Sequence, residues 1–150
     1  MTYESWTTQF VEQLSEYFNL QGWIWKLDFS DEEHPEGAYA VTGFNAAYQY
    51  ANVTFYKQAK EDYESGELER LVLAVVHELT HAFLNPFHDF VEPYLSKTTE
   101  PFFVNMLETQ TQKLTMIFLK QLPKSIVPRR PSNGKHNSTR ADNTKKPAVH

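Results

Sequence analysis

Residues 71–84 form an apolar run that is interrupted by two histidines and a glutamate. The five residues His77-Glu78-Leu79-Thr80-His81 place the two histidines four positions apart. An α-helix has 3.6 residues per turn, so both imidazoles project from one face and can bind a single metal ion. Glu78 lies about 100° around the helix, where it can accept a proton from a water molecule at that metal. The run therefore predicts a buried helix that carries a metal site.

A second interpretation of these residues is a pair of core histidines that hydrogen-bond to the backbone, with Glu78 exposed to solvent. Burying two imidazoles and a carboxylate in an aliphatic helix costs free energy unless a partner satisfies them. A metal ion is such a partner, and we therefore favour the metal site.

The segment His77–His81, with the aliphatic run before it, resembles the active-site helix of the zincin metallopeptidases. The metzincin branch requires a glycine and a third histidine at positions where this chain has Leu84 and Phe87. The match is better with the gluzincin type, in which a downstream glutamate completes the site. Among gluzincins, the short chain resembles the minimal gluzincins and the small SprT-like and phage-encoded zincins. The resemblance covers roughly residues 23–122.

This resemblance implies a zinc-dependent peptidase in which His77, His81 and a later glutamate bind Zn²⁺. It implies that Glu78 is the general base, acting on a water whose pKa the zinc lowers toward about 7. The substrate would be a peptide or protein, bound as an added antiparallel strand. We expect the strand Tyr48–Tyr56, which directly precedes the metal helix, to offer the sheet edge for this pairing.

A catalytic zinc site needs a third protein ligand, and the residues after His81 offer five candidates: His88, Asp89, Glu92, Glu100 and Glu108. We expect the first two to lie in a solvent-facing loop after Pro86. Glu100 precedes Pro101 at the start of a helix, where the helix dipole alone explains a carboxylate. Glu108 lies two turns inside that helix on a line with no other charge, and we therefore choose Glu108. Thr111, Gln112 and Thr115 could orient it.

The remaining elements follow from periodicity and from breaker residues. A helix over Ser5–Phe18, with Ser5 as its N-cap, precedes a strand over Trp23–Phe29. Two more strands, Ala38–Phe44 and Tyr48–Tyr56, are joined by a short connection. An acidic segment, Glu61–Leu68, leads to the metal helix, which Pro86 ends or kinks. A glutamate helix then begins at Pro101 and ends before Pro123. The predicted fold is α+β and zincin-like, with an N-terminal helix, a small three-stranded sheet, a buried HExxH helix and a C-terminal glutamate helix.

The charge of the chain divides at about residue 122. Residues 1–122 carry 7 basic and 18 acidic side chains, a net charge of −11. Residues 123–150 carry 7 basic side chains and Asp142, a net charge of +6. We predict a zincin-like domain over 1–122 and a disordered basic tail over 123–150, because the tail has little to bury. The tail is interpreted as a solubilising segment, and weak nucleic-acid contact is the alternative.

Two function classes follow. The first is a zinc peptidase with Glu78 as general base and His77, His81 and Glu108 as metal ligands. The alternative is a non-catalytic protein that keeps the zincin scaffold and acts through a protein or nucleic-acid partner. The larger gluzincins that this chain resembles stabilise the oxyanion with a downstream tyrosine or histidine, but here no tyrosine follows Tyr94 and the histidines after position 88 lie in the tail. Zinc alone, or a tyrosine from the sheet, would have to take that role. The absence of a signal peptide or an apolar run of membrane-spanning length predicts a cytoplasmic protein without a membrane partner, and leaves its oligomeric state open.

Overall fold

The structure, a computed structural model, describes residues 1–129. It is an α+β fold, as predicted, with four α-helices and one three-stranded sheet in these residues. The elements in chain order are α1 (Tyr3–Tyr17), β1 (Ile24–Phe29), β2 (Ala40–Asn45), β3 (Tyr50–Phe55), α2 (Lys57–Ser65), α3 (Leu68–Val91) and α4 (Glu100–Gln121). A short 3₁₀ turn over Ala46–Tyr48 connects β2 to β3, and a second one over Glu92–Tyr94 follows α3. No helix in this part of the chain combines the length and the apolar character that a membrane span requires.

The sheet is mixed, with the strand order β1-β3-β2. β3 is the central strand: it pairs in parallel with β1 and antiparallel with β2. The expectation that the strand before the metal helix offers a free edge is therefore wrong. The tight turn that joins β2 to β3 brings β3 between its two neighbours, so β2 is an edge strand of the described sheet.

The core lies between α1, the sheet and α3. One face of α1 is fully buried through Trp6, Phe10 and Leu14, and α3 contributes Leu71, Val75, Val76 and Leu79. Val53 and Phe55 of β3 complete this cluster from the sheet. The N-cap of α1 is Thr2, whose hydroxyl accepts from the Ser5 amide, and not Ser5 as predicted. The helix starts earlier because Tyr3 and Trp6 are both buried on its inner face.

The residues before α3 form a helix, α2, which was not predicted; it includes the first part of the predicted acidic segment Glu61–Leu68. α2 is mostly polar and buries few side chains, among them Ala59 and Tyr63. Gly66 ends the helix at φ +92°, a left-handed conformation that favours glycine, and α3 begins two residues later. Tertiary contact with Tyr63, whose hydroxyl donates to the Met1 carbonyl, stabilises a segment with a weak apolar pattern.

α3 continues past Pro86 to Val91, so the first of the two predicted alternatives, that this proline ends the helix, is wrong. A proline inside a helix removes one backbone hydrogen bond, and side-chain packing of the residues that follow the proline can offset this loss. Here the rings of Phe87 and His88 both lie about 6 Å from Phe103 of α4 (6.0 and 5.9 Å between centroids). These contacts hold the last turns of α3 against α4. The predicted loop at His88 and Asp89 is therefore helical.

The described part of the predicted tail, residues 123–129, packs against the domain. Ile126 and Val127 contact the main core cluster. Pro128 is buried, and its carbonyl accepts a 2.7 Å hydrogen bond from the indole nitrogen of Trp6. The folded body therefore extends past residue 122. The predicted disorder of residues 130–150 lies outside the described residues.

Candidate metal centre and active site

Helix α3 presents His77 and His81 on the face that it turns toward α4. Their Nε2 atoms lie 3.0 Å apart. Glu108 lies in the third turn of α4. Its Oε1 lies 3.4 Å from Nε2 of His77, and its Oε2 lies 3.3 Å from Nε2 of His81. The structure thus brings together the three residues chosen as ligands. Glu100 lies at the exposed start of α4 and is not part of this group.

The contact between α3 and α4 fixes this approach through buried threonines. Thr80 donates to the Val76 carbonyl, and the Thr115 hydroxyl lies 3.3 Å from the Thr80 hydroxyl. Thr111, also buried, donates to the Leu107 carbonyl of its own helix. Small hydroxyl-bearing side chains let two helices approach closely, and Thr80 belongs to the turn of α3 that carries His77 and His81. Gln112 donates to Glu108 Oε1 at 3.3 Å. Gln112, one of the three residues predicted to orient this carboxylate, is therefore placed to do so.

Both histidines favour the neutral form. Burial lowers the pKa of His77, while Glu108 opposes this shift. Burial also lowers the pKa of His81, with His77 adding to the shift and Glu108 opposing it. A neutral imidazole has a free lone pair, which is the form that binds a metal ion.

Glu78 lies about 100° around α3 from His77 and turns toward the sheet. Its side chain is buried, and Thr42 of β2 donates to its Oε2 at 2.5 Å. Burial raises the pKa of Glu78 to about 7, although the Thr42 hydrogen bond lowers it and the Glu108 charge raises it further. A carboxyl with such a pKa can both accept and release a proton near neutral pH.

Two adjoining cavities open at these residues. One, of about 410 Å³, is lined by Thr42, Phe44, His81, Asn85 and His88, among others. The other, of about 730 Å³, is lined by Tyr39, Arg70, Leu73, Ala74 and Met116, among others. Both include Ala40, His77, Glu78 and Glu108. His77, Glu78 and Glu108 therefore lie where the two halves of one cleft meet, between β2 and α4, and His81 lines the smaller half.

Two cleft residues, Thr42 and Asn85, were not found from the sequence, and a third, His88, was assigned to a solvent-facing loop. Thr42 lies 36 positions before Glu78, and no local pattern indicates their contact. Asn85 and His88 lie one and two turns beyond His81, so their helical spacing would have placed them at the cleft if α3 had been extended past Pro86. His88 Nδ1 lies 3.3 Å from Asp89 Oδ1, and Glu92 lies near both. The carboxylates of Asp89 and Glu92 are exposed, and exposed acidic groups like these are common where no metal ion binds.

Comparisons with known proteins do not add to this geometry. No family model, no curated protein and no solved structure matches the chain. The functional argument therefore depends on the residues and distances of the cleft.

Proposed function

We propose that this chain is a zinc-dependent peptidase with a zincin-like fold of the gluzincin type. The observation that carries the proposal is the convergence of His77, His81 and Glu108 at one point of a cleft whose lining also includes the buried carboxylate of Glu78. Two imidazoles and one carboxylate are a ligand set of known catalytic zinc sites, which also leave a position open for water.

The three side chains fit a tetrahedral zinc ion in spacing as well as in chemistry. Zinc bonds of 2.0–2.2 Å to nitrogen and oxygen separate neighbouring ligand atoms by about 3.3 Å in tetrahedral geometry. The two imidazole nitrogens lie 3.0 Å apart, and they lie 3.4 and 3.3 Å from two different oxygens of Glu108. One ligand atom from each of the three residues lies within 4.8 Å of the other two, so the cluster is compact enough for a single ion. The competing explanation, a metal-free hydrogen-bonded cluster of two histidines and a glutamate, makes the opposite prediction for metal content. Bound zinc would supply Lewis acidity toward a water molecule and toward the oxygen of a peptide carbonyl.

Glu78 then has the role of general acid and base. Its carboxylate accepts a proton from the attacking water and passes it to the amine that leaves. Thr42, by donating to Oε2, fixes the rotamer and leaves Oε1 to receive the proton. Burial keeps the carboxyl within reach of its neutral form, so that it can release the proton again.

The edge of β2 is the proposed binding site for the peptide backbone. The Tyr56 amide donates to the Tyr39 carbonyl, which fixes the alternation of the β2–β3 ladder. By that alternation, Val41 and Gly43 bond to β3, whereas the backbone groups of Ala40, Thr42 and Phe44 face the free edge. The side chains of these three residues line the cleft. An antiparallel peptide added here would pass directly over Glu78 and the metal ligands.

The chain contributes no tyrosine hydroxyl to the oxyanion within residues 1–129. Of the tyrosines in the described part of the chain, only Tyr39 lines either cavity. Its hydroxyl is fully buried and interacts with Asp62 instead of facing the cleft.

The experiment that tests the function compares wild-type protein with Glu78→Gln, both loaded with zinc, on a mixture of synthetic peptides. Glutamine can still accept the Thr42 hydrogen bond but cannot take a proton. We expect the variant to keep its zinc and to lose cleavage by about 10²- to 10⁴-fold, the usual contribution of a general base. Wild-type protein that holds zinc and cuts no peptide, or a variant that cuts equally well, would refute the peptidase.

The second candidate is a non-catalytic protein that uses the zincin scaffold for binding. It is favoured by large apolar side chains that stay exposed on α3, α4 and the turn between them, among them Phe87, Phe90, Tyr94 and Phe102. Exposed aromatic side chains are enriched at protein interfaces, and the charge of −11 on residues 1–122 disfavours nucleic acid as the partner of this surface. Zinc binding without cleavage would select this candidate. For either candidate we propose the cytoplasm as the compartment, and a nucleic-acid contact would belong to the basic residues of 123–150.

A further inference from the structure

We propose that Arg70 gives this peptidase a preference for substrates with a carboxylate about three residues beyond the cleaved bond, on its C-terminal side. The inference rests on the proposed function, and it names the substrate class that the cleft would select. Arg70 lines the larger cavity, which extends from the metal ligands along the first turns of α3.

The larger cavity has the character of a substrate subsite. Apart from the residues at the metal centre, its lining is largely apolar, with Leu73, Ala74 and Met116 on facing helices. Among residues 1–129, Arg70 is the only arginine or lysine that lines either half of the cleft, and Glu78 and Glu108 are the only acidic residues there. A peptide in this half therefore meets an apolar wall with a single positive charge at its far end.

Arg70 is available for a ligand. Within residues 1–129 no carboxylate lies within 4 Å of its guanidinium, although this part of the chain is strongly acidic. By contrast, the surface lysines Lys26, Lys57 and Lys60 each have an acidic partner. A guanidinium binds a carboxylate through two parallel hydrogen bonds, a geometry that favours carboxylates over neutral amides.

Helix geometry sets the distance from Arg70 to the reacting bond. Arg70 precedes His77 by seven residues, which is close to two turns, so both lie on one stripe of α3 with Ala74 between them. Seven residues at a rise of 1.5 Å correspond to about 10 Å along the helix axis. An extended peptide advances about 3.4 Å per residue, so a carboxylate at Arg70 belongs about three residues from the bond at the metal centre.

The direction follows from the sheet. Ala38, Tyr39 and Ala40, at the beginning of β2, line the same cavity as Arg70. A peptide that pairs antiparallel with β2 runs its C-terminal end toward the beginning of that strand. The carboxylate is therefore either an aspartate or glutamate side chain near the third position after the cleaved bond, or the terminal carboxylate of a peptide that ends there.

The test uses the zinc-loaded protein and synthetic peptides of randomised sequence, prepared once with a free C-terminal acid and once as the amide. Cleavage sites are read by mass spectrometry. At the second to fourth positions after the cut, we expect aspartate and glutamate to exceed asparagine and glutamine by about fivefold, a value discounted for the exposure of Arg70. The preference should weaken as salt is added. If the terminal carboxylate is the ligand, the enrichment appears instead as faster cleavage near the end of free-acid peptides than of amides.

Two substitutions of Arg70 and one control decide the assignment. Arg70→Gln should bring the ratio of acidic to neutral residues close to one, and Arg70→Glu should replace it with a preference for lysine. Lys113→Gln, an exposed cation on α4 that lines neither cavity, should keep the wild-type ratio. Zinc-dependent cleavage without a carboxylate preference, or a preference that survives Arg70→Gln, overturns this inference and leaves the peptidase intact. Absence of cleavage in the wild type refutes the peptidase and this inference together.

Discussion

At the scale of single residues, the site depends on ionisable side chains that are buried together, although water would solvate the charged form of each one better. Glu78 is the clearest case, because its carboxyl lies inside the protein with one hydroxyl donor, Thr42. Burial without a positive partner favours the neutral acid, which raises the pKa of Glu78 to about 7 from its ordinary value of 4.5. The folded protein therefore resists ionisation of Glu78, the residue that the proposed peptidase mechanism requires as a base.

This shift predicts how stability depends on pH in protein kept free of metal by a chelator. A carboxyl with a raised folded-state pKa stabilises the fold below about pH 4.5, and that stabilisation is lost as the pH rises through about 7. Glu78→Gln does not ionise, so it should gain stability relative to wild type across this window, by about 3 kcal/mol at most. Urea denaturation at a series of pH values measures the difference.

The matched control is Glu100→Gln, which removes the same charge from an exposed position on α4. His77 and His81 titrate in all three proteins, so their contribution largely cancels from the comparison. A stability difference between Glu78→Gln and wild type that stays constant from pH 4.5 to 8 would contradict the burial of Glu78.

The residues of the metal centre were largely predictable, and those around them were not. His77, Glu78 and His81 follow from one local spacing, and Glu108 from its isolated position on a helical line. The structure sets Glu108, not Glu100, beside both imidazoles. Thr42 and Arg70 acquire their places from tertiary contacts, between a strand and α3 for the first and across a cavity for the second. Local periodicity contains no information on such pairings.

At the scale of elements, β2 has a more important position than the sequence indicates. It is short and carries few large apolar side chains, yet it forms the edge of the sheet and one wall of the cleft. The order of strands depends on how hairpins and crossovers pack, and alternation alone does not fix which strand lies in the centre. The same limit applies to α2 and to the last turns of α3, which are stabilised by contacts with distant residues.

The role of β2 is tested by Ala40→Pro. Proline is tolerated at the beginning of an edge strand when its missing N–H faces away from the sheet, as the ladder places it at Ala40. We expect the variant to fold and to keep its zinc, because Ala40 bonds to neither β3 nor the ligands. Its kcat/KM on peptides should fall by at least about tenfold, since a backbone donor is lost and the ring obstructs the edge.

The control for this variant is the melting temperature together with zinc content, which separates lost binding from lost structure. Unchanged peptide cleavage in a folded, zinc-containing Ala40→Pro protein would remove β2 from the substrate site.

At the scale of the whole molecule, the C-terminal segment belongs partly to the fold. The predicted boundary at residue 122 came from composition, since proline and basic residues dominate beyond it. Three apolar residues, Ile126, Val127 and Pro128, are nevertheless enough to close the domain over Trp6. In the sequence, three apolar residues inside a polar segment are weak evidence for folding. In the structure they cover the core and bury the indole nitrogen of Trp6.

Two truncations test this boundary. A chain that ends at Leu122 leaves the Trp6 N–H without its acceptor and uncovers core side chains, which should cost about 2 kcal/mol. Its melting temperature should fall by roughly 5–8 °C. A chain that ends at Arg129 keeps these contacts and should melt within about 2 °C of the full chain, because the composition of residues 130–150 offers little to bury. Equal melting of both truncated chains and the full chain would contradict the docking of residues 123–129.

The central claim is that His77, His81 and Glu108 hold zinc, and metal binding of the purified protein tests it most directly. Wild type should contain stoichiometric zinc, with its affinity measured by competition against a chelator. Glu108→Gln should bind zinc at least about a hundredfold more weakly, because a neutral amide replaces one of three protein ligands. Glu100→Gln should bind as wild type does. A well-folded wild type without affinity for zinc, or loss of the metal in Glu100→Gln but not in Glu108→Gln, would contradict the account.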